Sequence, residues 1–304
     1  MRMKVVSPLT AIVAAAAIAG CGGGGGGGSS AGTSSDGQVT GAVAAAIARY
    51  FPTTPGSRWV YSSTSGATVT TTIVGTQAVS GGATGTVFQT LDSSDNSTTL
   101  DIFTISDAGA RDFAAPGSAP IIAALSGVVV IPDPSQVGVN VAVADVTADS
   151  GMDLDGDGKT DNVRMQVTLL VVGLENVLPS AFVFKNALRV RTTVLQTYQS
   201  SRGLPPVDVT LTVDDWYAEN IGRVETLTRV TGPGVDSTEA EALTAYHVGN
   251  LSSDSTLLRE HAESSRRWRP AMAVVSSLRQ RRASETQGLR SGTLETRSSP
   301  PNGG

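Results

Sequence analysis

Leu188-Arg189-Val190-Arg191-Thr192-Thr193-Val194 alternates its side chains one by one. A strand through it carries Leu188, Val190 and Val194 on one face and Arg189, Arg191 and Thr193 on the other. One apolar face and one wet face is the pattern of an antiparallel sheet that meets water on one side. The same period of two, set among Thr, Ser and Gly, runs outward through 68–74, 87–91, 100–105, 137–146, 163–172, 187–198, 207–216, 223–230 and 240–248. Only 43–50 has helical spacing, and Pro52 and Pro55 stop it. The expected fold is mainly β, an antiparallel sheet of at least eight strands with one short N-terminal helix. Periodicity leaves half-barrel, barrel and sandwich open, because all three use the same alternation.

Charge divides the chain. Residues 21–251 hold 11 Lys/Arg against 22 Asp/Glu, whereas residues 252–304 hold 9 Arg against 5 acids. An acidic body lacks the clustered cations that neutralise phosphates, so nucleic acid is excluded as its partner. Residues 41–251 are long enough for one hydrophobic core and are read as one domain.

The chemistry concentrates in Asp153-Leu154-Asp155-Gly156-Asp157-Gly158-Lys159-Thr160-Asp161. Carboxylates at the first, third, fifth and ninth positions of a tight loop, with Gly158 at the sixth, converge hard oxygen ligands on Ca²⁺. Lys159 would add its backbone carbonyl. The expected ligand set is therefore Asp153, Asp155, Asp157, Lys159 and Asp161, and the expected ion a structural Ca²⁺. Arg164 stands where an EF-hand has its bidentate Glu, and the residues after it read as a strand, so a helix-loop-helix hand is not expected. The loop resembles the strand-flanked Asp-x-Asp-x-Asp-Gly-x-x-Asp turns of β-propeller calcium repeats, in a single copy. The competing reading is a metal-free polar turn.

Arg2 and Lys4, an apolar run over 12–19 and small residues before Cys21 compose an export signal too short to span a bilayer. Ile18-Ala19-Gly20-Cys21 resembles a bacterial lipobox. The resemblance implies removal of residues 1–20 and lipidation of Cys21, the only cysteine, which leaves none for a disulfide. Residues 21–40, opening on the glycine run 22–28, compose a flexible tether. Gly rather than Asp at position 22 is similar to the pattern of outer-membrane lipoproteins, so the expected location is the cell envelope with the outer membrane favoured.

Tyr50-Phe51-Pro52 before Gly56-Ser57-Arg58-Trp59-Val60-Tyr61, then Val172 to Val177 with Pro179 and Phe184, then Trp216 to Val224, together resemble a family of largely uncharacterised bacterial lipoproteins and secreted proteins. Asn220 and Ile221 stand where that family has Gly and Val. The resemblance implies a β-rich envelope domain and carries over no catalytic residue. Trp59, Tyr61, Trp216 and Tyr217 are read as packing residues, and Gly222 as a turn requirement.

No catalytic constellation is legible, and an enzyme is not expected. There is no free thiol, nucleophile elbow, His-Glu-x-x-His site or phosphate loop. Asp214 and Asp215 are adjacent, and adjacent strand residues point to opposite faces. The tail 252–304 reads as disordered by composition, with anionic lipid or a polyanionic envelope polymer as the partner its arginines would suit. The function expected is that of a lipid-anchored envelope protein, held to the membrane through Cys21, whose calcium-stabilised β domain binds or scaffolds. The alternative is a half-barrel carrier of an apolar ligand such as lipid or lipoprotein.

Overall fold

The computed structural model describes residues 42–153, 155–179 and 182–253. Cys21, the signal and tether, and the basic tail after Ser253 lie outside these residues. Helix α1 spans Ala42–Tyr50, followed by β1 (Arg58–Ser63), β2 (Thr68–Ala78), β3 (Thr84–Asp92), β4 (Ser97–Ser106) and β5 (Gly109–Phe113). A five-residue helix α2 (Pro120–Ala124) precedes β6 (Val128–Ile131) and β7 (Asn140–Asp149). The chain continues through β8 (Asn162–Val177), β9 (Phe184–Gln199), β10 (Val207–Ala218), β11 (Gly222–Gly232), β12 (Val235–Val248) and β13 (Leu251–Ser252).

All thirteen strands form one antiparallel sheet in the order β6-β5-β4-β3-β2-β1-β12-β11-β10-β9-β8-β7, with β13 against β12. Its two edges are consecutive in the chain. The connection between them places Val137 in an isolated bridge to Val171, so the sheet curls into a nearly closed barrel. This resolves the three architectures left open by periodicity.

The β4–β5, β8–β9 and β10–β11 turns lie at one end of the barrel, together with α1. Asp107 accepts the Ala44 amide at 2.9 Å, and Ile47 is fully buried against Ala110, Ile131, Val171, Leu188, Val190 and Tyr217. The opposite end carries the β7–β8 loop and is filled by α2, whose Ile121 packs with Leu125, Met165, Val194, Leu211 and Val230. We call these the α1 end and the loop end.

Leu188, Val190 and Val194 are buried and Arg189 and Arg191 are only partly so, as the alternation requires. A bulge between β10 and β11 breaks the alternation to a purpose. Trp216 pairs with Glu225 but Tyr217 with Arg223, leaving Val224 as the extra residue. The bulge therefore turns Arg223 onto the inward face that Asp215 and Tyr217 share. Gly222 sits beside it at φ +97°, where a Cβ would lie 3.2 Å from Pro52 Cδ. Gly222→Ala is expected to cost about 1–3 kcal/mol through this backbone conformation, read as a lower midpoint in urea unfolding.

Candidate functional site

The β7–β8 connection holds the acidic loop between two strands. Asp153 organises it, with Oδ1 accepting the Gly156 and Asp157 amides at 2.7 and 3.1 Å and Oδ2 accepting Gly158 at 2.8 Å. Gly156 and Gly158 adopt φ of +72° and +85°, which lets the chain wrap around that carboxylate. Asp153, Asp155 and Asp161 each bring a carboxylate oxygen within 4.8 Å of the others. Asp157 turns elsewhere: its Oδ1 accepts the Lys159 amide and its Oδ2 the Ser201 hydroxyl at 2.7 Å. Lys159 is exposed.

A second segment, the β9–β10 turn, closes over the loop. Ser200 Oγ and the Arg202 amide both donate to Asp155 Oδ2, the latter at 3.1 Å, and the Ser201 amide donates to Asp161 Oδ1 at 2.7 Å. The Ser200 hydroxyl holds the Asp155 carboxyl below its ordinary range, and the Ser201 hydroxyl does the same for Asp157. Asp161 is buried, and the Asp155 side chain is 1% exposed. Four carboxylates thus stand in one turn, with Arg202 and Lys159 the cations beside them among the described residues. An all-oxygen, net-negative donor set of this kind fits a hard divalent cation, with Asp153, Asp155 and Asp161 as the group placed to hold it. Of the nearby acids, Asp149 accepts from Thr160 Oγ1, and Asp145 pairs with Arg164 at 2.6 Å. The turn residues Ser200 to Arg202 were not legible as partners of the loop, because a contact between residues about forty positions apart leaves no local pattern.

A second polar group lies inside the barrel. Thr226 Oγ1 donates to Asp215 Oδ1 at 2.6 Å, and Arg223 donates to Glu241 at 3.2 Å while its Cζ sits 4.8 Å from the Tyr61 ring centroid. Two buried carboxylates therefore face one buried guanidinium. Burial pushes Glu241 up to about 7 against the pull of Arg223, and raises Asp215 as well. The signal for this group is a run of polar residues at core-facing positions, Asp215, Thr226 and Glu241, opposite one another in adjacent strands.

Asp214, on the outer face, accepts from Arg189 Nε and Arg191 Nε at 3.0 and 2.9 Å, and Arg189 also reaches Glu175 and lies over Trp216. Asp214 and Asp215 thus belong to separate networks on opposite faces and share no proton. The interior keeps a cavity of about 70 Å³ among Phe51, Trp59, Phe88, Phe103, Tyr217 and Arg223. A larger cleft of about 470 Å³ lies between β4–β5 and the α2 segment, where Asp112 is raised well above its usual range by burial and then by Asp101.

No protein-family model matches this chain, and no curated protein matches it. Solved structures similar to it include a candidate lipoprotein from Parabacteroides distasonis ATCC 8503, at 12% identity and a TM-score of 0.36 over 65% of this chain and 98% of that one. Another is a candidate exported protein with YmcC-like fold from Bacteroides fragilis NCTC 9343, at 12% identity and 0.34 over the same shares.

Proposed function

We propose that this chain is a lipid-anchored protein of the bacterial cell envelope, with the outer membrane favoured, whose calcium-stabilised β domain serves binding or scaffolding without catalysis. The lipobox-like Cys21 supports the anchor. The observation that carries the calcium reading is the convergence of Asp153, Asp155 and Asp161 oxygens within 4.8 Å beneath the β9–β10 turn. An ion there ties the β7–β8 loop to that turn, which is a structural role. The carrier alternative is less well supported. The aromatic interior cavity, at about 70 Å³, is far below the roughly 300–1,000 Å³ of ligand pockets, and the larger cleft presents carboxylates that an acyl chain would leave unsolvated.

The test is thermal unfolding of the chain from residue 21, with Cys21→Ser, in millimolar calcium and in chelator. At 1 mM calcium a site of roughly 10⁻⁴–10⁻³ M affinity would contribute about 0.4–1.4 kcal/mol. The expected rise is roughly 1–6 °C for a domain of this size. Asp155→Asn keeps the shape of the loop and should lose most of the rise. Equal melts in calcium and chelator would sink the calcium reading.

A further inference from the structure

We infer that the α1 end of the barrel is a membrane-docking surface, to which the β8–β9 hairpin contributes exposed apolar side chains. This inference rests on the anchored reading above and gives it an orientation.

The register carries the β8–β9 hairpin beyond the end of β10. The last β9–β10 pair at this end is Leu188 with Tyr217, yet β9 begins four residues earlier at Phe184 and still pairs there with Val177 of β8. Instead of standing clear, the hairpin leans across the end of the barrel: Phe182 meets Tyr246 of β12 at 5.9 Å between ring centroids, and Val177 and Phe184 are buried. Its side chains are not those of a solvated turn. Leu174 and Leu178 are 56% and 49% exposed, and Val183 is exposed beside them. Val137 and Val139, in the connection that meets β8 at the same end, are 54% and 50% exposed. Exposed Lys185 follows directly, placed where a cation can meet headgroup phosphates. Contiguous exposed apolar side chains on a soluble domain mark a contact surface.

Two chain ends identify lipid as the occupant. The described chain starts at α1, so the segment from Cys21 enters the domain at this end. It finishes at Ser253, whose amide bonds Tyr246 in the part of β12 that reaches the same end. The tail with 9 arginines therefore departs from here too. The loop end differs: exposed Asp95, Asp208 and Asp236 there would be repelled by anionic lipid, whereas the acids of the α1 end, Asp107, Glu175 and Glu219, are engaged by the Ala44 amide, Arg189 and Arg49. Anchor, basic tail and apolar hairpin all favour one face toward the bilayer, and the exposed acids of the loop end disfavour the other.

The experiment places a single environment-sensitive fluorophore on the chain from residue 21 carrying Cys21→Ser, through Leu178→Cys, Leu174→Cys or, at the loop end, Leu204→Cys. A histidine tag ahead of residue 21 holds each protein to nickel-chelating lipid in phosphatidylethanolamine/phosphatidylglycerol vesicles containing brominated acyl chains. Interfacial side chains sit roughly 5–10 Å into the headgroup boundary, so quenching at positions 174 and 178 should exceed that at 204 by about threefold. Equal quenching at the three positions overturns the proposal. A blue shift at 178 that grows with protein concentration in the absence of vesicles also overturns it, in favour of pairing between copies. Acylation of the native chain is read separately by palmitate incorporation and its loss in Cys21→Ser. An unlabelled native chain removes the anchor reading while a positive quenching result keeps the docking surface, and the converse pair of results removes the docking surface alone.

Discussion

Arg223→Met is expected to destabilise the protein by about 3–5 kcal/mol at pH 8, because it strips from two buried carboxylates, Asp215 and Glu241, the guanidinium that faces them. Methionine fills a similar volume, so the loss reports charge rather than a void. The pH dependence distinguishes this account from simple packing. Glu241 has its folded pKa raised, from 4.5 to about 7, by burial. A raised carboxyl contributes stability that is fully present below the unfolded value and is lost as pH rises through the folded one. Between pH 5 and 8 the wild-type protein should therefore lose on the order of 3 kcal/mol from this group, at about 1.4 kcal/mol per unit. Arg223→Met should then be much milder at pH 5, where Glu241 keeps its proton. Glu241→Gln should flatten the same window. Urea unfolding of the Cys21→Ser chain at both pH values checks all three, and an Arg223→Met loss independent of pH would remove the electrostatic explanation.

The legibility of this group explains what the sequence could and could not carry. Alternation located the strands because one face of nearly every strand is apolar, and β2, β3, β4, β8, β9, β10, β11 and β12 each contain their expected span. Beside β1 and the two-residue β13, which lie outside those spans, β5 and β6 escaped that rule. β5 is five residues, Gly109 to Phe113, with Asp112 on a buried position, so no apolar rhythm forms. β6, Val128 to Ile131, is apolar throughout and shows no alternation to read. Helix α2 is too short for a helical period. Closure was invisible for a different reason: it depends on the two edges meeting, and strand periodicity is the same in a barrel and a sandwich.

The acidic loop shows the same division between local and distant information. Local spacing brings Asp153, Asp155 and Asp161 into one turn, since Asp and Gly at fixed offsets bend the chain by themselves. Asp157 is turned toward Ser201 and the Lys159 amide and stands outside the group of three. Nothing in nine residues could announce a serine on another hairpin. The bulge that turns Arg223 inward is likewise a property of a strand pair, and by simple alternation Arg223 belongs on the face opposite Thr226.

The second large effect concerns α1, and Ile47→Ala is expected to cost about 2–5 kcal/mol. The helix has nine residues, well below the roughly 12–15 at which an isolated helix becomes stable in water, so its structure depends on docking. Ile47 is its one fully buried side chain, set among residues of β5, β6, β8, β9 and β10. Removing three carbons there weakens the contact that joins the early strands to the late ones across the barrel interior. The other ties include the Asp107 cap on the Ala44 amide, the Asn220 amide donating to the Arg49 carbonyl, and the exposed Arg49–Glu219 pair, which solvent screens. Hydrogen exchange should consequently quicken in α1 before it quickens in β8 to β10. A loss below about 1 kcal/mol, outside the range for a buried isoleucine, would mean that α1 rides on the barrel rather than plugging it.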